Sequence, residues 1–137
     1  MNLDDTDRFV KVRELEVPWA YAYAYTLPGE PDKERREEYC NAACGKIRPV
    51  SDPLWWAFRI TVENSGRLLD VGNVAKLIID AFCTKQITDD KSALTQVGLY
   101  DDDTLKHVRV LQVVGEPGPA DRTKIEVFAC IKPNGLT

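Results

Sequence analysis

The run from Asp70 to Phe82 constrains the fold more than any other part of the chain. At about 100° per residue, Val71, Val74, Ala75, Ile78 and Phe82 fall on one side of a helix. Asp70, Asn73, Lys76 and Asp80 fall within an arc of about 120° on the other side. Such a helix, expected over about 70–85, must bury its apolar stripe against a second layer. The rest of the sequence supplies that layer as runs that read as strands.

Ala20-Tyr21-Ala22-Tyr23-Ala24-Tyr25-Thr26-Leu27 alternates strictly and reads as a strand, its tyrosine row packed on a helix rather than stacked on nucleic-acid bases. Leu54 to Val62 is a second strand, with Trp56, Phe58, Ile60 and Val62 on one core-facing side. Leu105 to Val114 and Lys124 to Ile131 are a third and a fourth, joined through the turn Gly115-Glu116-Pro117-Gly118-Pro119. A charged helix starts near Glu30-Pro31-Asp32 and stops at Gly45. Phe9 to Leu15 could add an edge strand before Pro18. The order strand, helix, strand, helix, strand, strand gives an α+β fold: a small mixed β-sheet with helices packed on one side. The division expected is a single domain over 1–137, with an N-terminal extension at 1–18, a core at 20–131 and a loop insertion at 86–96.

With 137 residues, a sizeable core needs no disulfide or metal staple. No apolar run approaches the roughly 18 residues of a membrane span. The acidic start Met1-Asn2-Leu3-Asp4-Asp5 has no apolar signal region. A cytoplasmic protein without a membrane partner is expected, with Cys40, Cys44, Cys83 and Cys130 reduced. Cys40 and Cys44 are four apart on the first helix, but the single histidine, His107, and the lack of a CxxC pair disfavour structural zinc. The net charge of −4 argues against a broad nucleic-acid patch and leaves room for a local one.

The chemistry-bearing residues are the polar stripe and the triplet Asp101-Asp102-Asp103. A bland account exists for each: Asp70 as an N-cap, and an aspartate-rich turn bonding its own backbone. Together they are the ingredients of a magnesium-dependent phosphodiester site, since a hard cation needs carboxylates from two converging segments. Lys76 would then stabilise charge on a phosphate. Arg35 and Arg36 are candidate phosphate contacts on the first helix.

Asp70-Val71-Gly72-Asn73-Val74-Ala75-Lys76, then Asp80-Ala81-Phe82, then Gly98-Leu99-Tyr100 and the acidic triplet, resemble the RusA-type Holliday-junction resolvases. The signature of that family is D-x-D-N-x-x-K-x-x-x-D-A-[LF], followed by G-[hydrophobic]-[aromatic]-x-D-D leading into a strand. Tyr25-Thr26-Leu27-Pro28 resembles the family's first strand, and the likeness covers roughly residues 20 to 131.

The resemblance implies a homodimeric endodeoxyribonuclease that resolves four-way DNA junctions in recombination and repair, using Mg2+ or Mn2+. Carried over by position, Asp70, Lys76 and Asp102 would be catalytic, and Asp70, Asp102 and Asp103 would hold the metal. Asn73, Asp80 and Asp101 would support them from behind, and Arg67, Lys76, Arg35 and Arg36 would meet DNA. The register of Leu105, Val108 and Val110 favours Asp102 as the later motif aspartate; the spacing from Gly98 favours Asp103. The sequence departs from the signature at Gly72, which replaces an aspartate. It also reduces the basic stretch before the motif to Arg67, and lengthens the segment after Phe82. Two alternatives stand beside this reading: a DNA-binding protein of the same fold without catalysis, and a protein–protein module presenting Trp19.

Overall fold

The computed structural model describes residues 2–22, 30–43, 48, 50–66, 69–83 and 98–132. Four strands and two helices follow in the order β1 (Phe9–Val17), α1 (Glu30–Ala43), β2 (Trp55–Asn64), α2 (Val71–Ala81), β3 (Val108–Pro117) and β4 (Arg122–Cys130). They build one mixed sheet of order β1-β4-β2-β3. β4 runs antiparallel to both β1 and β2, and β2 runs parallel to β3 with α2 as the crossover. The α+β class expected from the sequence is the one observed.

Each face of the sheet has its own reason. Trp56, Phe58, Ile60 and Val62 of β2 all point to one layer, where they meet Val74, Leu77, Ile78 and Phe82 of α2 and Tyr39, Cys40 and Ala43 of α1. The opposite face carries a smaller cluster of Phe9, Trp55, Ala57, Phe128 and Cys130, with Leu3 over it. Beyond that cluster the open face turns ionic. Arg59 donates to both carboxylate oxygens of Glu126 at 2.9 Å and to both of Asp4 at 3.1 Å. Lys11 reaches Glu126 at 2.7 Å.

The stretch read as an N-terminal extension is therefore part of the sheet. β1 contributes Val12, Leu15 and Val17 to the main core. The register with β4 slips between Lys11 and Arg13. This bulge turns Val12 and Arg13 to the same layer, where the Arg13 guanidinium lies 5.6 Å from the Phe82 ring centre.

Several boundaries move: β1 extends to Val17, β2 spans Trp55–Asn64 and β4 spans Arg122–Cys130. Ala20, Tyr21 and Ala22 are not in a strand; they pack as irregular chain against the core, and 23–27 lie outside the described residues. Trp19 is not presented outward: it sits 4.6 Å from the Tyr39 ring with the Arg35 guanidinium 4.6 Å above it. α2 stops at Ala81 rather than running to Lys85, because Phe82 and Cys83 turn their backbone toward Leu99 and Tyr100. β3 starts at Val108 rather than Leu105, since Thr104 to His107 form a turn, and it continues through Pro117 into the segment read as a turn. A proline is tolerated there because β3 is an edge strand. The first helix's stop at Gly45, Cys44 and the 86–96 insertion fall outside the described residues. Cys40, Cys83 and Cys130 are buried.

The double bond from Arg59, aided by Lys11, holds the Glu126 carboxyl down at about 2, below its ordinary 4.5. A depressed carboxyl contributes its stability above the unfolded value and loses it as pH falls toward the folded one. Glu126→Gln is expected to cost about 2 kcal/mol at neutral pH, after discounting for the partly exposed arginine. That deficit should narrow steadily between pH 4.5 and pH 2 in urea unfolding. A deficit independent of pH would show that the effect is packing alone.

Candidate active site

A polar clip sets where α2 begins. Asn64, at the end of β2, accepts from the Leu69 backbone at 2.9 Å and donates to Ser65 O at 3.0 Å and to Asp121 at 3.3 Å. Asp121 in turn accepts from the Ser65 amide at 2.7 Å and hydroxyl at 2.9 Å. Gly66 takes the left-handed conformation of the turn, at φ +72°. Asp70 follows as the N-cap, extended at φ −75° and ψ 119°, with its carboxylate accepting from Gly72 N at 2.9 Å. The capping role anticipated for Asp70 is thus filled.

The other end of α2 is held by the segment before the acidic triplet. Leu99 N donates to Phe82 O at 2.8 Å, Tyr100 OH to Ile79 O at 2.6 Å, and the Cys83 thiol to Asp101 O at 3.1 Å. These three bonds lay residues 99–101 along the last turn of α2 and carry the triplet onto its polar stripe. Lys76 Nζ is 3.3 Å from Asp80 and 3.8 Å from Asp103. One lysine therefore bridges carboxylates from two segments.

The three triplet aspartates do different things. Asp103 faces the stripe. Asp102 is turned back to its own loop, accepting from the Thr104 hydroxyl at 2.6 Å and amide at 3.2 Å. These bonds start the turn before β3, so the aspartate preferred from the sequence caps its own loop. Asp101 is exposed, and its carbonyl takes the Cys83 thiol. Asp70 stands at the far end of α2, about 9 Å of helix rise from Lys76 and about 15 Å from Asp80. Asn73 lies between them, half-buried.

The setting of Asp80 opposes its charge. It is 7% exposed, in the last turn of a helix whose carbonyl end repels anions, and close to Asp103. Burial pushes its carboxyl up, and Asp103 pushes the same way. Lys76 opposes this most strongly, with Arg36 of α1 helping across the helix pair. Arg36 thus acts on Asp80 through its charge rather than through a direct bond among those described. Arg35 pairs with Glu38 at 3.1 Å and lies over Trp19 and Tyr21. Arg67 lies outside the described residues.

Sequence reasoning ranked Asp80 as a supporting residue and Asp102 above Asp103. The Lys76–Asp80 spacing of four was the available signal for their pairing. Nothing local announced that Tyr100 would anchor the triplet to Ile79. Two carboxylates around one ammonium are hard oxygen donors of the kind Mg2+ or Mn2+ accepts, with water completing the shell. Among the described residues, no group of three or more histidine, cysteine or acidic side chains is gathered closely enough to hold a metal ion.

Two tests follow from this geometry. Lys76→Met should move the Asp80 titration midpoint further up, read by NMR of the side-chain carboxyl; an unchanged midpoint would show that the ion pair is idle. A Cβ on Gly72 meets only Asp70 Oδ1, at 3.4 Å, and the residue does not need a left-handed backbone. Gly72→Ala should therefore stabilise α2 by about 0.5–1 kcal/mol, and Gly66→Ala should destabilise the turn before it. Equal thermal shifts for the two would contradict this reading.

Neither a comparison with protein-family models nor one with curated proteins finds a match.

Proposed function

We propose that this chain is a magnesium-dependent endodeoxyribonuclease acting on four-way or branched DNA, with its centre at Lys76, Asp80 and Asp103. The observation that carries the reading is the convergence of Asp80 and Asp103, from two separate segments, on Lys76. Asp80 is buried beside a second carboxylate at the carbonyl end of its helix, a setting that a bound cation would relieve. Arg36 of α1 adds positive charge that favours the ionised form of Asp80.

In this reading Asp80 and Asp103 would hold the divalent cation, with water completing its shell. The cation would supply an activated water and screen the scissile phosphate. Lys76, 3.3 Å from Asp80 and 3.8 Å from Asp103, would be within reach to stabilise charge on a phosphate oxygen. Asp70 orders the start of α2 and presents a further carboxylate at the N-terminal end of the stripe. The likeness to the junction resolvases supports the choice of substrate, and Gly72 is where it is weakest.

Gly72 also favours a second reading: a branched-DNA binder that has lost cleavage. The Cβ direction at Gly72 points toward the Asp70 carboxylate, so an aspartate there would place a second acid beside the first.

The test is a labelled four-way junction with Mg2+ or Mn2+, beside a linear duplex, at low salt. Paired nicks on the junction are expected, reduced about a hundredfold by Asp103→Asn and by Lys76→Ala, with Asp102→Asn close to the parent. A retarded band without product, converted to cleavage by Gly72→Asp, would establish the second reading. Absence of both product and band shift would end the DNA assignment.

A further inference from the structure

Among the described residues, the most exposed large apolar side chain is Leu105, at 79%. A single exposed leucine is ordinary on a surface. The setting of this one is not. Leu105 lies in the turn before β3, two residues beyond Asp103, which keeps the two Cα atoms within about 7 Å of each other. The turn is braced from both sides. Asp102 accepts from the Thr104 hydroxyl and amide, and Thr104 O accepts from His107 N at 2.9 Å and from Val108 N at 3.0 Å. His107 O accepts from Trp56 N of β2 at 2.7 Å. Arg109 Nε donates to Leu105 O at 2.8 Å, with its guanidinium 5.8 Å from the Trp55 ring. The His107 ring lies stacked 6.4 Å from that of Tyr100, whose hydroxyl is bonded to α2. Leu105 is therefore displayed on the same stiff unit that carries Asp103.

We propose that Leu105 is an apolar wedge that enters the base stack at the branch point of a DNA substrate, with Lys106 and Arg109 against the phosphates beside it. This role rests on the branched-DNA reading above and deepens it by naming the group that recognises the branch. Side chains that part a base step are apolar, leucine among them, and the bases resist being unstacked. A wedge must hold its place while they separate, which a turn fixed by this many bonds allows. At a branch the stack is already interrupted, so opening it there costs less than opening a continuous duplex. Leu105 would thus favour branched over linear DNA.

The charge around Leu105 suits a phosphate backbone. Lys106 and Arg109 are both exposed. Of the acids just before them, Asp102 is turned to Thr104 and Asp103 to Lys76. A leucine flanked by cations meets bases with its apolar end and leaves the phosphates to its neighbours. The phosphate contacts carry affinity, and the wedge carries selectivity. With Leu105 in the branch, the strand that leaves it passes Asp103, so cleavage falls close to the crossover.

The test places a fluorescent adenine analogue, which brightens on unstacking, at the crossover of a four-way junction. Mixing the full chain with this junction and Mg2+ at low salt should raise the emission on binding, ahead of any product. Leu105→Ala should abolish the rise and weaken junction binding about tenfold, while Leu105→Met retains both. A junction with unpaired nucleotides at its crossover should restore the binding of Leu105→Ala, because its stack is already open. Lys106→Ala should instead weaken junction and linear duplex alike and flatten the dependence on salt. Circular dichroism checks that each variant is folded. If the parent binds or cuts the junction with flat emission, or Leu105→Ala matches the parent, or the opened junction fails to rescue it, the wedge is overturned and the branched-DNA reading stands. A parent that neither binds nor cuts the junction ends both.

Discussion

Burying Val74, Leu77, Ile78, Ala81 and Phe82 under the β2 side of the sheet turns the opposite stripe of α2 outward, and the polar groups of the molecule arrange themselves around that one contact. The helix can hold a single rotation, because turning it by one residue would push Lys76 or Asp80 into a layer filled by Phe58 and Ile60. The clip of Asn64 and Asp121 fixes its start, and Tyr100 fixes its end. Between these points the positions of Asp70, Asn73, Lys76 and Asp80 are determined to within a side-chain rotation.

The sheet beneath serves the same end. β4 is the most buried strand, flanked on both sides and lined by Ile125, Val127 and Ala129 toward the helices. On the other face, Arg59 ties the first residues of the chain to the middle of the sheet through Asp4 and Glu126. The ionic network there is satisfied by matched partners, as each carboxylate meets a cation within hydrogen-bond distance. The cluster at the end of α2 is different in kind: two acids share one lysine, and the more buried of them is pushed toward its neutral form.

Much of this was legible beforehand because it follows from local pattern. The period of 3.6 in α2 and the period of two in β2 identified both elements and the faces they bury. Asp70 as a cap and Asn64-Ser65-Gly66 as a turn follow from side-chain chemistry at single positions. What escaped depends on partners distant in the chain. The strand at Phe9–Val17 looked peripheral because its alternation is broken, and the break is a bulge visible only once β4 is its neighbour. Tyr21, in a strictly alternating run, lies instead under Arg35, outside any strand.

The acidic triplet marks the division most clearly. Composition and spacing determined by themselves that an acidic turn would follow the amphipathic helix in an α+β fold. Only the tertiary structure decided which acid faces that helix. The hydroxyl of Thr104 takes Asp102 for the turn, and the bonds from Leu99, Tyr100 and Cys83 deliver Asp103 to Lys76. Adjacent aspartates are equivalent in sequence, whereas their directions are set by hydrogen bonds to residues that no local pattern specifies.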